Sequence, residues 1–244
     1  MCGETGIGFF EGSMTIAGTS VLVVIYYLLN GSKHIKGWFR KRSGAEGAQI
    51  RKVLFDRLIG VFLFGIVPVV LLLYVFGQSL QDFGLATGTL NRSLLFWLPV
   101  ATLAVGLAYF LARGGSNLSR YPQIRARGWD IRLILLSALS WMVYITGYEL
   151  MFRGVLLFAC YASFGFWPAI LINILLYALA HIPKGSLETF GSIPAGFVFC
   201  FMTLHLGSIW FALLTHITIA LSYEWFSLYF NREMQVIYLK REGK

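Results

Sequence analysis

Long apolar segments recur along the chain, and this feature constrains its fold more than any other. The length of each segment is close to the roughly 20 residues that an α-helix needs to cross about 30 Å of hydrocarbon. Lipid offers no hydrogen bonds, so a spanning segment must satisfy its own backbone. The sequence therefore predicts an all-α, polytopic transmembrane helical bundle of about seven spans, with six to eight as the range. The predicted spans are 14–30, 58–77, 93–112, 131–159, 168–181, 191–204 and 209–230.

Composition agrees with this fold class and leaves no separate soluble domain. The chain is 57% hydrophobic and 13% charged, and its mean hydropathy is +0.71. We predict three parts: N-terminal transmembrane helices and basic loops over 1–130, a membrane core over 131–230, and a basic tail over 231–244. The net charge of +9 does not indicate nucleic-acid binding, because the basic residues follow the loops rather than one surface.

The positions of Lys and Arg predict the topology. Eight of them lie in the segment 33–57, which we interpret as a cytoplasmic loop. With seven spans, 18 of the 20 Lys and Arg are cytoplasmic, leaving Arg92 outside and Arg153 in the membrane. We therefore expect a multi-pass protein of the cell membrane with its N-terminus outside and its C-terminus in the cytoplasm.

Two ionisable residues, Glu149 and Arg153, lie in the apolar span 131–159. Charged groups at this depth are costly and are normally paired or used. Residues four apart share one helix face, so the spacing predicts a Glu149–Arg153 pair. The pair is either a purely structural brace or part of a site. The span is longer than a bilayer needs, so we expect it to be tilted, kinked near Gly147 or partly outside the hydrocarbon.

Two histidines, His181 and His216, also lie in apolar segments. Counted from the external turns, Glu149, His181 and His216 are roughly 15, 21 and 12 Å deep, near mid-bilayer. A shared polar pocket that opens inward is therefore possible. For His205, in a loop, and Glu224, near a helix end, we favour the solvated interpretation.

Together these side chains suit hydrolysis of an amide. A carboxylate and a histidine can polarise water, while a second imidazole stabilises the oxyanion. A metal site is the alternative, since Glu149, His181 and His216 suit zinc with an open position. No His-Glu-x-x-His helix is present. We therefore expect no cofactor, with a divalent metal such as zinc as the lesser option.

Three ordered segments carry a family resemblance: Glu149-Leu-Met-Phe-Arg-Gly, Tyr177-Ala-Leu-Ala-His, and Gly207-Ser-Ile-Trp followed by His216. They resemble the motifs of the CPBP family, which comprises CAAX prenyl proteases and bacteriocin-processing or immunity proteins, also called Abi. The resemblance covers residues 131–227 and makes this stretch a CPBP-like core. It implies a helical intramembrane endopeptidase in which a glutamate and His181 activate water and His216 binds the oxyanion. Arg153 matches the motif arginine.

The sequence departs from this family pattern twice. Tyr148 stands where the family has its first, water-activating glutamate, and Ala220 stands where the third motif has asparagine. A phenol, with a pKa near about 10, is a poor base at neutral pH.

Three hypotheses follow. In the first, the protein is a CPBP-type peptidase acting on a membrane-embedded or lipid-anchored peptide or protein, with Glu149 taking over the missing base. In the second, it is a catalytically impaired immunity or scaffold protein of the same fold. A transporter or channel is the third, although no internal repeat is evident.

Overall fold

The computed structural model describes residues 8–74, 77, 79–115 and 118–237. Half of the predicted basic tail, including Lys240, Arg241 and Lys244, lies outside the described residues, as does the start of the N-terminal segment.

Helices dominate the described part of the chain. The α-helices are α1 (Phe9–Gly31), α2 (Lys33–Val61), α3 (Val67–Tyr74), α4 (Leu90–Arg113), α5 (Ile131–Glu149), α6 (Leu157–Phe164), α7 (Phe166–Leu179), α8 (Ser186–Leu206) and α9 (Trp210–Phe230). Short 3₁₀ turns cover Leu80–Phe83, Thr87–Thr89 and Ile182–Lys184. Two-residue strands, β1 (Gly128–Trp129) and β2 (Gln235–Val236), pair in parallel.

Two π-helical segments join α-helices into longer rods. Phe62–Ile66 joins α2 to α3, and Leu150–Leu156 joins α5 to α6. Within the described residues the chain therefore forms seven continuous helices, which confirms the predicted all-α bundle. Five of them are long and apolar enough to cross a membrane, α7 is shorter, and α9 is 21 residues long but less apolar. The protein is a multi-pass membrane protein.

Several predicted boundaries were wrong. The basic segment 33–57, which we interpreted as a loop, lies in α2. Most of its residues are good helix formers, and Lys52 pairs with Asp56 four residues on at 2.5 Å. The helix breaks only at Gly44, whose φ is 67°.

The later helices also differ from the prediction. Helix α8 begins at Ser186 instead of residue 191, because Gly185, with a φ of 98°, already turns the chain. The turn predicted over 161–167 is reduced to Gly165, with a φ of 83°. His181 lies just beyond the end of α7.

The two π segments lie against each other. A Cβ added at Gly147 would be 3.2 Å from the backbone nitrogen of Gly65, so glycine at both positions lets the two backbones touch. Small residues serve this purpose where membrane helices cross closely. Pro68 follows the first π segment and cannot donate a backbone hydrogen bond, which accounts for the local distortion. This crossing fixes the start of the polar site at Tyr148 and Glu149.

Polar contacts divide the bundle into two ends. At one end Ser163 Oγ donates to the Gly8 carbonyl at 2.8 Å, and the Ile209 amide donates to the Gly84 carbonyl at 3.0 Å. At the other end, Gln49 of α2 bonds the segment between α4 and α5. Strands β1 and β2 pair at this second end. The charge pattern predicts the same grouping, and the second end holds the basic segments.

The core is aromatic on the inside and the outer faces are apolar. Buried rings, among them Tyr26, Phe64, Tyr144, Tyr148 and Tyr177, form one cluster where α1, α2, α5 and α7 meet. Many large apolar side chains on the outer faces of the helices are exposed. This arrangement suits a protein surrounded by lipid, where outward apolar surface carries no penalty.

Candidate active site

Glu149 and Arg153 form the predicted pair, and both are fully buried. Glu149 is the last residue of α5 and Arg153 lies in the π segment. Arg153 Nη1 is 3.3 Å from Glu149 Oε2. The distortion that we expected near Gly147 begins instead after Glu149, so it changes the angle between the two side chains without separating them.

Arg153 is also held by aromatic faces. Its guanidinium carbon lies 3.9 Å from the ring centre of Tyr177 and 5.1 Å from that of Phe199. Such contacts contribute up to about 2 kcal/mol when the cation is desolvated. Within the described residues, its Nε and Nη2 have no hydrogen-bond partner. Arg153 therefore acts on the site mainly as a fixed positive charge beside Glu149.

His216 contacts the other oxygen of Glu149. Its Nδ1 lies 2.5 Å from Glu149 Oε1, so α9 meets α5 through a direct imidazole–carboxylate bond. An ionised carboxylate only accepts hydrogen bonds, so Nδ1 carries the proton and donates it. The other ring nitrogen, Nε2, takes no part in this bond.

His181 has a different partner. Its Nδ1 lies 2.8 Å from the carbonyl oxygen of Tyr177, one turn earlier. A carbonyl only accepts, so Nδ1 donates, and a neutral His181 ring keeps Nε2 as a proton acceptor. In the described part of the chain, His181 has no hydrogen bond or ion pair with Glu149. The structure thus brings Glu149 to His216 and Arg153 but not to His181.

Tyr148 packs against both histidines. The centre of its ring is 6.2 Å from that of His181 and 5.8 Å from that of His216, and both contacts are nearly perpendicular. Its hydroxyl is buried and has no hydrogen-bond partner among the described residues. Tyr148, which the motif resemblance matches to the family's first glutamate, therefore faces the two histidines.

A cavity of about 250 Å³ lies in front of the two histidines, between the end of α7, α8 and α9. His181 and His216 both line it, and so does Ala220. Glu149, fully buried, is not in the lining and lies behind His216. Aromatic and aliphatic side chains, including Trp141 and Phe199, form much of the remaining wall. A ligand in this cavity meets the two imidazoles and the side chains of Lys184 and Glu188, but not the Glu149 carboxylate.

The side chains do not fit the zinc alternative. Within the described residues, no three His, Cys, Asp or Glu side chains converge into a group that could hold a metal ion. Ligands on one zinc ion at about 2.0–2.2 Å lie further apart than a direct hydrogen bond, whereas His216 and Glu149 are 2.5 Å apart. We therefore derive no step through a metal.

Asn173 is a supporting residue that sequence reasoning missed. Its amide nitrogen donates to the carbonyl of Phe152 at 2.6 Å, inside the π segment. Its oxygen accepts from Cys200 Sγ at 3.1 Å. A single asparagine in the apolar span 168–181 was the available signal.

A second buried pair was also missed, because we expected Glu224 to be solvated. Glu224 is fully buried, and its Oε1 lies 3.6 Å from Arg57 Nη2. It also accepts from Ser137 Oγ at 2.7 Å and from the Gln123 amide at 3.1 Å. The prediction failed because Arg57 had been placed in a loop, whereas α2 carries it into the bundle. His205 is exposed, as expected, but it lies in the last turn of α8 and not in a loop.

Comparison with known proteins identifies the region that holds this site. Residues 128–222 match the family model described as type II CAAX prenyl endopeptidase Rce1-like. The match confirms the CPBP resemblance and includes Tyr148, Glu149, Arg153, His181 and His216. No curated protein and no solved structure matches the chain.

Proposed function

From the premise that residues 128–222 form an Rce1-like domain of the type II CAAX prenyl endopeptidase kind, we propose that the protein is an intramembrane endopeptidase. It hydrolyses a peptide bond in a membrane-embedded or lipid-anchored protein or peptide. The observation that carries this proposal is that His181 and His216 line one cavity while the Nδ1 atom of each ring is held by a hydrogen bond. Both Nε2 atoms are then left for chemistry.

Water activation falls to His181 in this proposal. Its neutral ring accepts a proton from water at Nε2 while the water oxygen attacks the carbonyl carbon of the substrate. The carbonyl of Tyr177 keeps the ring in the required tautomer. When the C–N bond breaks, the same nitrogen returns the proton to the leaving amine.

Oxyanion stabilisation falls to His216. Its ring, protonated on both nitrogens and held by Glu149, donates from Nε2 to the negative oxygen of the tetrahedral intermediate. Arg153 balances the charge of Glu149, so the cluster keeps one net positive charge towards the cavity. Glu149 is a positioning residue here, which differs from the base that the sequence suggested.

A non-catalytic immunity or scaffold protein is the second candidate, and Tyr148 is the observation that favours it. The ring takes the place of the family's first glutamate and brings only a buried, unpartnered hydroxyl towards the histidines. Ala220 in turn supplies no donor in the cavity. In that case the pairs among Glu149, Arg153 and His216 only brace the helices.

The Tyr148→Glu variant separates the two candidates. Purified protein in liposomes is incubated with a pool of membrane-anchored peptides, and products are identified by mass spectrometry. If the protein is a peptidase, the wild type cleaves the peptides. Tyr148→Glu then changes the cleavage rate little or lowers it, because it places two carboxylates close together. An inactive wild type with a gain of cleavage in Tyr148→Glu assigns the protein to the scaffold class.

The same proposal includes orientation. The protein lies in the cell membrane. Its cytoplasmic end holds β1, β2 and the basic part of α2, and the start of α1 is outside. The excess of Lys and Arg at the end that holds β1 and β2 supports this orientation.

A further inference from the structure

A second, larger cavity lies at the basic end of the bundle. Its volume is about 540 Å³, and it is enclosed by the last turn of α1, by α2, by the segment between α4 and α5, and by the turn between α7 and α8. Lys36, Arg57, Arg120 and Lys184 line it. Among the described residues of its wall, Asp56 is the one carboxylate. The wall is therefore rich in positive charge.

Most of this positive charge is not neutralised by the protein. Asp56 is already bound by Lys52, which lies 2.5 Å away and outside the cavity wall. Within the described residues, the side chains of Lys36, Arg120 and Lys184 form no hydrogen bond or close ion pair. The Arg120 guanidinium lies against the turn between α7 and α8, since a Cβ added at Gly185 would lie 2.5 Å from its Nη2. Gathering unpaired cations is unfavourable unless an anion joins them.

Arg57 supplies an independent indication of a ligand. Its side chain is 3% exposed. Nη1 donates to Ser137 and Ser140, and Nη2 donates to Gln123 and lies 3.6 Å from Glu224 Oε1. Its Nε is buried and has no partner among the described residues. An unsatisfied buried donor of a charged group costs stability, and this donor belongs to a residue of the cavity wall.

An apolar groove adjoins the basic cavity. It has a volume of about 460 Å³ and lies between α1 and α7, with Thr19, Val24, Leu28 and Leu179 among its lining residues. None of the described residues that line it is charged. Tyr27 lines both the groove and the basic cavity, so the two spaces meet at this ring. Along α1 the groove runs from Thr19 to Leu28, which is about 14 Å at 1.5 Å per residue.

We propose that the basic cavity and the groove together bind one anionic phospholipid. The phosphate headgroup lies among Lys36, Arg57, Arg120 and Lys184, and one acyl chain follows the groove between α1 and α7. Basic pockets between transmembrane helices recognise anionic headgroups in this way. The groove favours a lipid over a soluble phosphate, which has no group to occupy it. This site does not depend on the proposed peptidase activity.

The headgroup site is tested by the affinity for lipid. Purified protein in neutral detergent is titrated with fluorescent phosphatidylglycerol and with fluorescent phosphatidylcholine. We expect Lys36→Gln and Arg120→Gln each to raise the Kd for phosphatidylglycerol about fivefold, as for the loss of one basic contact. Lys33→Gln and Arg113→Gln remove exposed charges outside the cavity and serve as controls. Equal Kd values for the two lipids would overturn the proposal.

The acyl-chain groove has a matched pair of variants on one helix. Val21 and Val24 of α1 are both 56% exposed, but only Val24 lines the groove. Val24→Trp fills the groove and should raise the Kd for phosphatidylglycerol about tenfold or more, as for about 1.4 kcal/mol of lost contact. Val21→Trp should leave it unchanged. The same Kd in both variants would contradict the groove assignment.

Competition identifies the source of the anion. We expect inorganic phosphate at millimolar concentration to displace little phosphatidylglycerol from the wild type. Full displacement by phosphate, with wild-type phosphate affinity in Val24→Trp, would instead make this a soluble phosphate site. Displacement by an acidic peptide without a lipid chain would assign the cavity to a peptide. Either result would overturn the lipid assignment, and neither bears on cleavage at His181 and His216.

Discussion

Tyr148 is the residue that decides how the polar site is arranged. A glutamate at this position would face both histidines, but the tyrosine ring takes that place and Glu149 bonds His216 from behind. The carboxylate is therefore kept in the cluster but removed from the cavity. The peptidase proposal transfers water activation to His181 for this reason.

The Tyr148→Phe variant tests whether the tyrosine hydroxyl takes part in the reaction. This hydroxyl is buried and has no hydrogen-bond partner among the described residues. Burying such a group costs about 1–3 kcal/mol, and this cost is absent from Tyr148→Phe. We expect an equal or higher free energy of unfolding and unchanged cleavage. Loss of cleavage in a folded Tyr148→Phe protein would assign the hydroxyl to the chemistry.

The Glu149→Gln variant tests the role given to the carboxylate. The amide no longer stabilises a protonated His216, so we expect cleavage to fall about 100-fold, as for loss of an oxyanion donor. Leaving Arg153 unpaired should also lower the free energy of unfolding by about 3–5 kcal/mol.

The control for this variant is Glu224→Gln. Glu224 is the other buried carboxylate with an arginine partner, and it does not line the histidine cavity. Its variant should lose stability but keep the cleavage rate of the folded fraction. Equal activity losses in the two variants would show that Glu149 acts only through stability.

The sequence predicted individual polar residues better than their contacts. Glu149, Arg153, His181 and His216 stand out because ionisable groups are rare in apolar spans, and the i, i+4 spacing predicted the Glu149–Arg153 pair. The separation of His181 from Glu149 depends on the ring of Tyr148 and on a carbonyl of α7. Such tertiary contacts leave no periodic signal in the sequence.

At the scale of helices, the two π segments determine where the site lies. They distort the two longest rods next to the contact between Gly65 and Gly147, and Asn173 satisfies a carbonyl of the second segment. Single π turns inside α-helices are frequent at functional sites. Here the turn brings Glu149 and Arg153 into one buried cluster with α9.

The Gly147→Ala variant tests this crossing. The added methyl group would lie 3.2 Å from the Gly65 nitrogen, so the two rods must separate, at a cost of about 1–3 kcal/mol. We expect a lower free energy of unfolding and slower cleavage, because Glu149 moves with the rod. Gly106→Ala is the control, since a Cβ there meets nothing within 4 Å, and helix propensity predicts a gain of up to about 1 kcal/mol. Equal stability in the two variants would contradict the role of the crossing.

Helix type was predictable from composition, but helix ends in charged segments were not. Apolar runs predicted the long helices. The helix over the basic residues 33–57 was not predicted, because the pattern of these residues has no apolar face. Gly44, Gly165 and Gly185 mark the true interruptions, each with a positive φ. The conformation of a glycine is fixed by its neighbours in space, which the sequence does not display.

At the scale of the whole molecule, the two ends of the bundle agree with the charge pattern. The pairing of β1 with β2 places both strands at one end of the bundle, and an even number of continuous helices, four, separates them along the chain. The segments joined at each end are the ones that the distribution of Lys and Arg groups together. Counting charges therefore predicted the arrangement of the ends, although it could not predict which helices touch.

Reporter fusions test the orientation of this arrangement. We expect a reporter that is active only after export to be inactive when fused after Lys244, and active when fused before Met1, because the basic end stays in the cytoplasm. A cytoplasmic reporter at the same two positions should give the inverse pattern. Export activity after Lys244 would contradict the predicted topology.

The central claim is that His181 and His216 act together on one substrate in one cavity. The most direct test is the cleavage rate of wild type, His181→Ala, His216→Ala and the double variant, measured with the same membrane-anchored peptide on folded protein. Residues that act as a unit are strongly non-additive. The account predicts that each single variant falls to the background rate and that the double variant falls no further. Wild-type rates in either single variant, or losses that multiply in the double variant, would contradict it.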